Sequence, residues 1–229
     1  MSADHLPVLA RTLPFAAYML FIAFPETVAL LGERFALAPQ EKQALYPLQI
    51  GLPVLLMVLF RKYYTEIAAA DLRTMRGTLA SLLCGIIVFL LWLPLGWVPF
   101  GAAPAEGFRP DLYTHPTERA AMTLLRVTGA TLVVPLFEEL FWRSFLSRYL
   151  ISRNFLAVPQ GTFTAFSFAA TTLLFGLEHT FLVAGIMAGA AYNLLYRFTK
   201  STTQCVLAHA VTNGLLCAHV LATQSWHYW

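Results

Sequence analysis

The sequence predicts an all-α fold, a polytopic transmembrane helical bundle of about seven to eight helices. Three observations carry that prediction. Hydrophobic residues make up 58% of the 229-residue chain, and Asp, Glu, Lys and Arg together only 12%, against about 25% charge in an average soluble domain. Mean hydropathy is +0.64. Apolar runs near the ~20 residues that cross a bilayer recur from end to end. A chain with so little charge cannot cover a soluble surface, so the lipid bilayer is its first expected partner. Residues 1–229 read as a single integral-membrane domain with no room for a second. There is no basic run suited to nucleic acid and no Gly-rich phosphate loop, which excludes nucleic-acid and nucleotide partners.

Seven apolar spans can be drawn. Leu13 to Leu31 is the first, weakened by Pro25 and Glu26, and Ala44 to Phe60 the second, with Pro47 and Pro53 inside it. Prolines are tolerated in spans where neighbours satisfy the freed carbonyls. Arg61 to Gly77 is a charged loop with room for a short interfacial helix. Thr78 to Val98 is the third span, ending in a Trp92/Trp97 belt, and Pro99 to Pro116 is a Pro/Gly-rich loop. Thr117 to Ile151 is longer than one span needs, which predicts a bend near Pro135 or an extension beyond the bilayer around Arg148 and Arg153. Thr162 to Leu177, Phe181 to Phe198 and Thr202 to Ala222 complete the set. Small residues at Ala184, Gly185, Ala188, Gly189 and Ala191 suit close helix packing. The terminal Ser225–Trp229 stretch reads as an interfacial aromatic anchor. Cys84, Cys205 and Cys217 are too few and too scattered for a disulfide frame or a CxxC metal site, and read as small packing residues.

Orientation follows from Lys and Arg in the loops. With the N-terminus inside, one side collects Arg11, Arg61, Lys62, Arg73, Arg76, Arg148, Arg153, Arg197 and Lys200. The other collects Arg34, Lys42, Arg109 and Arg119. The expectation is a cytoplasmic N-terminus, with the odd seventh span leaving the C-terminus outside.

The residues that can do chemistry lie inside the apolar runs. Pro135-Leu136-Phe137-Glu138-Glu139-Leu140-Phe141-Trp142-Arg143 carries two carboxylates and a guanidinium, and each charge at mid-bilayer costs about 2.5–3.5 kcal/mol on insertion scales. Glu139 and Arg143 are spaced i, i+4 and share a face, which allows a charge-assisted pair, bidentate at best. Glu138 points about 100° away and is left without a local partner. Phe175 and His179 share a face at the end of the fifth run, as do His209 and Asn213 in the last. A common water-filled cavity would satisfy all of these polar groups. There, a carboxylate beside an imidazole can hold and deprotonate a water, while a second His and an amide donate to an oxyanion. No GxSxG elbow is present to supply a serine nucleophile. Cys205, one turn before His209, leaves a Cys–His pair conceivable.

The order Glu-Glu-xxx-Arg, Phe-xxx-His, His-xxx-Asn resembles the CAAX prenyl endopeptidase and bacteriocin-processing (CPBP) family of intramembrane glutamic proteases, over roughly residues 118 to 222. The resemblance implies an all-helical membrane fold, usually of eight helices. It implies catalytic Glu138 with His179 activating water, an oxyanion hole of His209 and Asn213, and support from Glu139, Arg143 and Phe175. It implies a membrane-anchored or lipidated peptide or protein as substrate. The compact chain also resembles the CAAX-protease-related branch associated with exosortase systems of Gram-negative bacteria. No cofactor is expected and no metal is assigned, because HExxH and a Cys ligand cluster are both missing. A zinc-dependent membrane protease using the two carboxylates and two histidines, and a non-enzymatic scaffold, immunity or proton-passing protein, are the competing readings. One difficulty is depth. In the span count Glu138 falls mid-stretch, His179 near the outer end and His209 near the inner end, so nothing in the sequence makes the motifs meet.

Overall fold

A computed structural model describes residues 5–96 and 107–229. Trp97, Val98 and much of the Pro99–Pro116 loop lie outside the described residues. Among the described residues the chain forms seven principal helices and no strand: α1 (Leu6–Ala29), α2 (Pro39–Leu59, with a turn at Leu45), α3 (Met75–Leu95), α4 (Pro116–Tyr149), α5 (Ala165–Leu177), α6 (Leu182–Thr199) and α7 (Thr202–Thr223).

Five of them, α1 to α4 and α7, are long and apolar enough to cross a membrane. That corrects the count of seven spans. The apolar α5 has only 13 residues, a rise of about 20 Å against a hydrocarbon core of ~30 Å. α6 carries Asn193 and Arg197 and is not among the five. The outer faces of the long helices are apolar, as lipid contact requires: α3 alone exposes Leu79, Leu83, Ile86, Ile87, Leu90 and Leu91.

Helix ends follow local chemistry. Pro116 opens α4 at a position where its missing N–H is no loss. Thr164 caps α5 and Ser201 caps α7 by accepting from the backbone N–H three residues on. Lys200 and Gln224 close α6 and α7 in the left-handed conformation, at φ 53° and 58°. α1 begins earlier than Leu13 and runs through both Pro14 and Pro25 to Ala29. The 61–77 segment is not an interfacial helix but two 3-10 turns, Arg61–Tyr63 and Ala69–Arg73.

α4 is the spine. It is interrupted by two π-helical turns, Gly129–Val133 and Leu140–Leu146, on either side of Pro135 and the two glutamates. Such widened turns are frequent at functional sites. α4 ends at Tyr149, and Arg148 is buried, donating to the Phe155 carbonyl at 2.8 and 3.0 Å. Two apolar cores flank α4. One gathers Trp142 with Phe175, Ala184, Ala188, Tyr192 and Ala208; the other sets Val134, Phe137 and Leu140 against Tyr46, Ile50 and Met57 of α2.

Arg11 is not a free flanking cation. It is 1% exposed and grips Glu66 with two bonds, Nε to Oε1 at 2.7 Å and Nη2 to Oε2 at 2.6 Å. With Arg148 also buried, two of the cations counted for orientation lie inside the fold.

α5 and α6 form a tight hairpin, and the small residues of α6 explain how. A Cβ on Gly185 would lie 2.9 Å from the Gly176 Cα and 3.1 Å from the His179 Cβ. Gly185→Leu is therefore expected to lose about 1–3 kcal/mol or more, since backbone has to move. A lowered thermal midpoint in detergent would register it; an unchanged midpoint would contradict the close approach.

Candidate active site

In the turn between α5 and α6, Glu178–Phe181, Thr180 is exposed, Glu178 and His179 are half-buried and Phe181 is buried. Glu178, at the end of α5, bonds Trp142 of α4. The His179 ring meets Trp92 of α3 edge-on at 5.4 Å, and Phe181 meets Tyr228 of the tail at 5.4 Å. The depth difficulty is thereby resolved: the three motifs converge on one cavity of about 190 Å³, whose walls include Glu138, Phe175, Glu178, His179, His209 and Asn213. Tyr228 and Trp229 also line it, so the tail packs over the site.

Glu139 is wholly buried, and its Oε1 accepts from Arg143 Nη1 at 3.1 Å and from His209 Nδ1 at 3.0 Å. The Glu139–Arg143 pair forms as the spacing predicts, but through one contact, because Arg143 Nη2 turns to the Gly189 carbonyl at 3.3 Å. The guanidinium also lies over the Phe175 and Tyr192 rings, at 4.7 and 5.4 Å. Phe175 thus separates Arg143 from the cavity and flanks both histidines, with ring centroids 4.7 Å from His179 and 6.0 Å from His209.

Glu138 is 6% exposed, and its Oε2 has no hydrogen-bond partner among the described residues. His209 Nε2 is 3.9 Å from that oxygen, too long for a hydrogen bond. His179 Nδ1 lies 2.7 Å from the Phe175 carbonyl. A carbonyl can only accept, so the proton sits on Nδ1 and Nε2 is left open as an acceptor. One carboxylate oxygen each of Glu138 and Glu178 and one ring nitrogen of His179 lie within 4.8 Å of one another. A single water can bridge groups at that separation.

Glu178 was not singled out from the sequence. Its Oε1 accepts from Trp142 Nε1 at 2.9 Å and its Oε2 is buried without a partner. The signal was present: an acid inside an apolar run, the same criterion that picks out Glu138. Asn213 reaches the cavity, but its Nδ2 donates to the Ala130 carbonyl at 2.9 Å; the first π turn offsets the helical ladder there and leaves a carbonyl for an outside donor. Cys205 bonds the Tyr192 carbonyl at 3.7 Å and does not approach the His209 nitrogens, both of which face carboxylates. This removes the Cys–His pair.

No curated protein and no solved structure matches the chain. A family model does, over residues 120–215, the stretch that carries all three motifs, and its description is Type II CAAX prenyl endopeptidase Rce1-like. The match is to the family and carries no assignment to the exosortase-associated branch. The match covers less than half of the chain, and over residues 120–215 the chain is similar to the Rce1-like type II CAAX prenyl endopeptidases, a family of the CPBP group.

Proposed function

We propose that the protein is an intramembrane endopeptidase that cuts a membrane-anchored or lipidated peptide with a glutamate-activated water. The observation that carries this reading is the buried Glu138 carboxylate, with one oxygen unpartnered, in a cluster where an oxygen of Glu138, an oxygen of Glu178 and a ring nitrogen of His179 lie within 4.8 Å of one another. Glu138 takes a proton from that water as its oxygen attacks the scissile carbonyl, and His179 Nε2 accepts the water's other hydrogen and orients it. The carbonyl oxygen becomes an oxyanion. His209 Nε2 and Asn213 Nδ2, which has a second N–H, are the donors placed to receive it. Since His209 Nδ1 must donate to Glu139, donation from Nε2 requires the doubly protonated ring, and Glu139 supplies its counter-charge. Collapse of the intermediate breaks the C–N bond, and Glu138 returns its proton to the leaving amine. The setting we infer is a bacterial inner membrane with a cytoplasmic N-terminus, since the remaining loop cations still favour that side.

A second reading is favoured by the Glu138, Glu178 and His179 cluster, whose ligand atoms are close enough to hold a metal ion. His179 has the orientation of a ligand, with Nδ1 held by a carbonyl and Nε2 free. The two readings separate under chelation. Comparing intact masses of membrane peptides from cells with the active protein and with Glu138→Gln should reveal one peptide shortened only by the former. The purified protein should keep cutting that peptide after dialysis against a strong chelator. Loss of activity on chelation, restored by zinc alone, would favour the metal reading; the absence of any shortened peptide would tell against both.

A further inference from the structure

Glu138 and His179 reach the cavity on separate elements, Glu138 on α4 and His179 on the α5–α6 hairpin. A carboxylate oxygen of the one and a ring nitrogen of the other lie within 4.8 Å. Among the described residues, hydrogen bonds tie α4 to the hairpin at three places. Ser167 Oγ donates to the Ser147 carbonyl at 2.5 Å, near the end of α4. Arg143 Nη2 donates to the Gly189 carbonyl at 3.3 Å. Trp142 Nε1 donates to Glu178 Oε1 at 2.9 Å. Of the hairpin residues in these bonds, Glu178 lines the cavity, and Ser167 and Gly189 do not.

The positions of Trp142 and Glu178 in the chain give their bond its meaning. Trp142 follows Glu138 by four places on α4, the spacing that puts side chains beside each other on one face. Glu178 immediately precedes His179. One bond therefore runs from the neighbour of the carboxylate to the neighbour of the imidazole. Both partners are buried. Trp142 is 4% exposed, in the second π turn, with its ring edge-on to Phe15 at 5.6 Å and to Phe175 at 5.7 Å. The Glu178 side chain is 9% exposed. An indole N–H can only donate, so Glu178 is held to α4 through an acceptor oxygen. His179 itself has no hydrogen bond to α4 among the described residues: Nδ1 lies against the Phe175 carbonyl of its own helix, and the ring rests edge-on against Trp92 of α3. Thr180, next along the turn, is exposed.

We propose that Trp142 and Glu178 are positioning residues, and that their bond holds His179 at its working distance from Glu138. The inference rests on the peptidase reading above. Neither side chain takes or gives a proton in this role; the bond fixes the separation of two elements that otherwise meet at the cavity through ring packing. A misplacement of ~1 Å between reacting groups costs about 10²-fold in rate. A loss of that kind falls on turnover and not on substrate binding.

The test breaks the bond from either end in the full-length protein. Trp142→Phe keeps a ring and removes the N–H. Glu178→Leu removes the acceptor. Glu178→Gln keeps one, because its amide oxygen turns to the indole. Turnover of the shortened peptide is expected to fall about 10–10²-fold in Trp142→Phe and in Glu178→Leu, with KM within about 2-fold of wild type. The double variant should be no slower than the slower single, because both changes remove one contact. Glu178→Gln should recover most of the turnover lost in Glu178→Leu. The bond is also read without substrate, from the indole resonances in a nitrogen–proton correlation spectrum. The chain has five tryptophans, so the Trp142 resonance is assigned by its loss in Trp142→Phe; Glu178→Leu should shift it and Glu178→Gln should bring it back toward its wild-type position. Wild-type turnover in either single variant, losses that multiply in the double variant, or an indole resonance unmoved by Glu178→Leu would overturn the proposal. Glu178→Gln as slow as Glu178→Leu would overturn it as well, because the carboxylate itself would then be the working group, as a metal ligand is. Should Glu178→Leu fail to fold, Trp142→Phe decides by its turnover against its thermal midpoint: a slow enzyme of wild-type midpoint supports the proposal, and a loss matched by a lowered midpoint overturns it. An indole resonance that moves as expected, in a protein whose wild type cuts nothing, would uphold the tie between the two elements and fail only the peptidase reading.

Discussion

Glu138→Gln is expected to lower the turnover of the shortened peptide by roughly 10³-fold, within the 10²–10⁴-fold span of general-base contributions, with the fold intact. The amide has the same size and can still bond a water, but it cannot take the proton. The environment predicts that the change is tolerated. Glu138 Oε2 bonds nothing among the described residues, so no protein contact is lost there, and a neutral amide is easier to bury than a charged acid. The contrast is Glu139→Gln. Glu139 Oε1 serves Arg143 and His209 together, so that variant weakens a buried guanidinium's counter-charge and should lose stability along with rate. Initial rates at saturating substrate and thermal midpoints for both variants decide the matter. Full activity in Glu138→Gln would remove it as the base, and a lowered midpoint would mean that its role is partly architectural.

How much of this was legible in the sequence depends on distance along the chain. The pairing of Glu139 with Arg143 and the isolation of Glu138 follow from helical spacing alone, and both appear as expected. Convergence of the three motifs did not follow. It depends on where α5 stops and on the close approach of Gly176, Gly185 and Gly189, with Glu178 and His179 of the turn reaching Trp142 and Trp92. The π turns of α4 were hidden for a similar reason: Pro135 signals an interruption, but Tyr46 packed on Gly129 and Asn213 bonded to Ala130 come from distant helices. His209 was assigned to an oxyanion hole without its bond to Glu139, seventy positions away. Glu178 was visible and passed over, because its neighbour His179 completed a motif and the acid did not.

Arg11 shows the same limit at its sharpest, and it carries the largest expected effect on stability. In sequence it is a cation at the edge of an apolar run; in the fold it joins α1 to Glu66 and Ser144. The Ser144 hydroxyl also donates to Glu66, and Ser144 follows Arg143 in the second π turn. Arg11 Nη1 and Nη2 bond the Pro7 and Tyr63 carbonyls at 2.8 and 2.7 Å, so every guanidinium nitrogen is used. Arg11→Met leaves the Glu66 carboxylate, 5% exposed, with no cation. Breaking one side of a buried pair costs about 3–5 kcal/mol. Replacing both sides with apolar residues of similar volume is often near neutral, so Arg11→Met combined with Glu66→Leu should recover most of the loss. Equilibrium unfolding in mixed micelles of the wild type, both single variants and the double variant gives the coupling directly. A loss below about 1 kcal/mol in Arg11→Met would place the pair with exposed surface bridges. Activity should follow stability across the four proteins, because the network touches α4 beside Arg143 but reaches no wall of the cavity that holds Glu138.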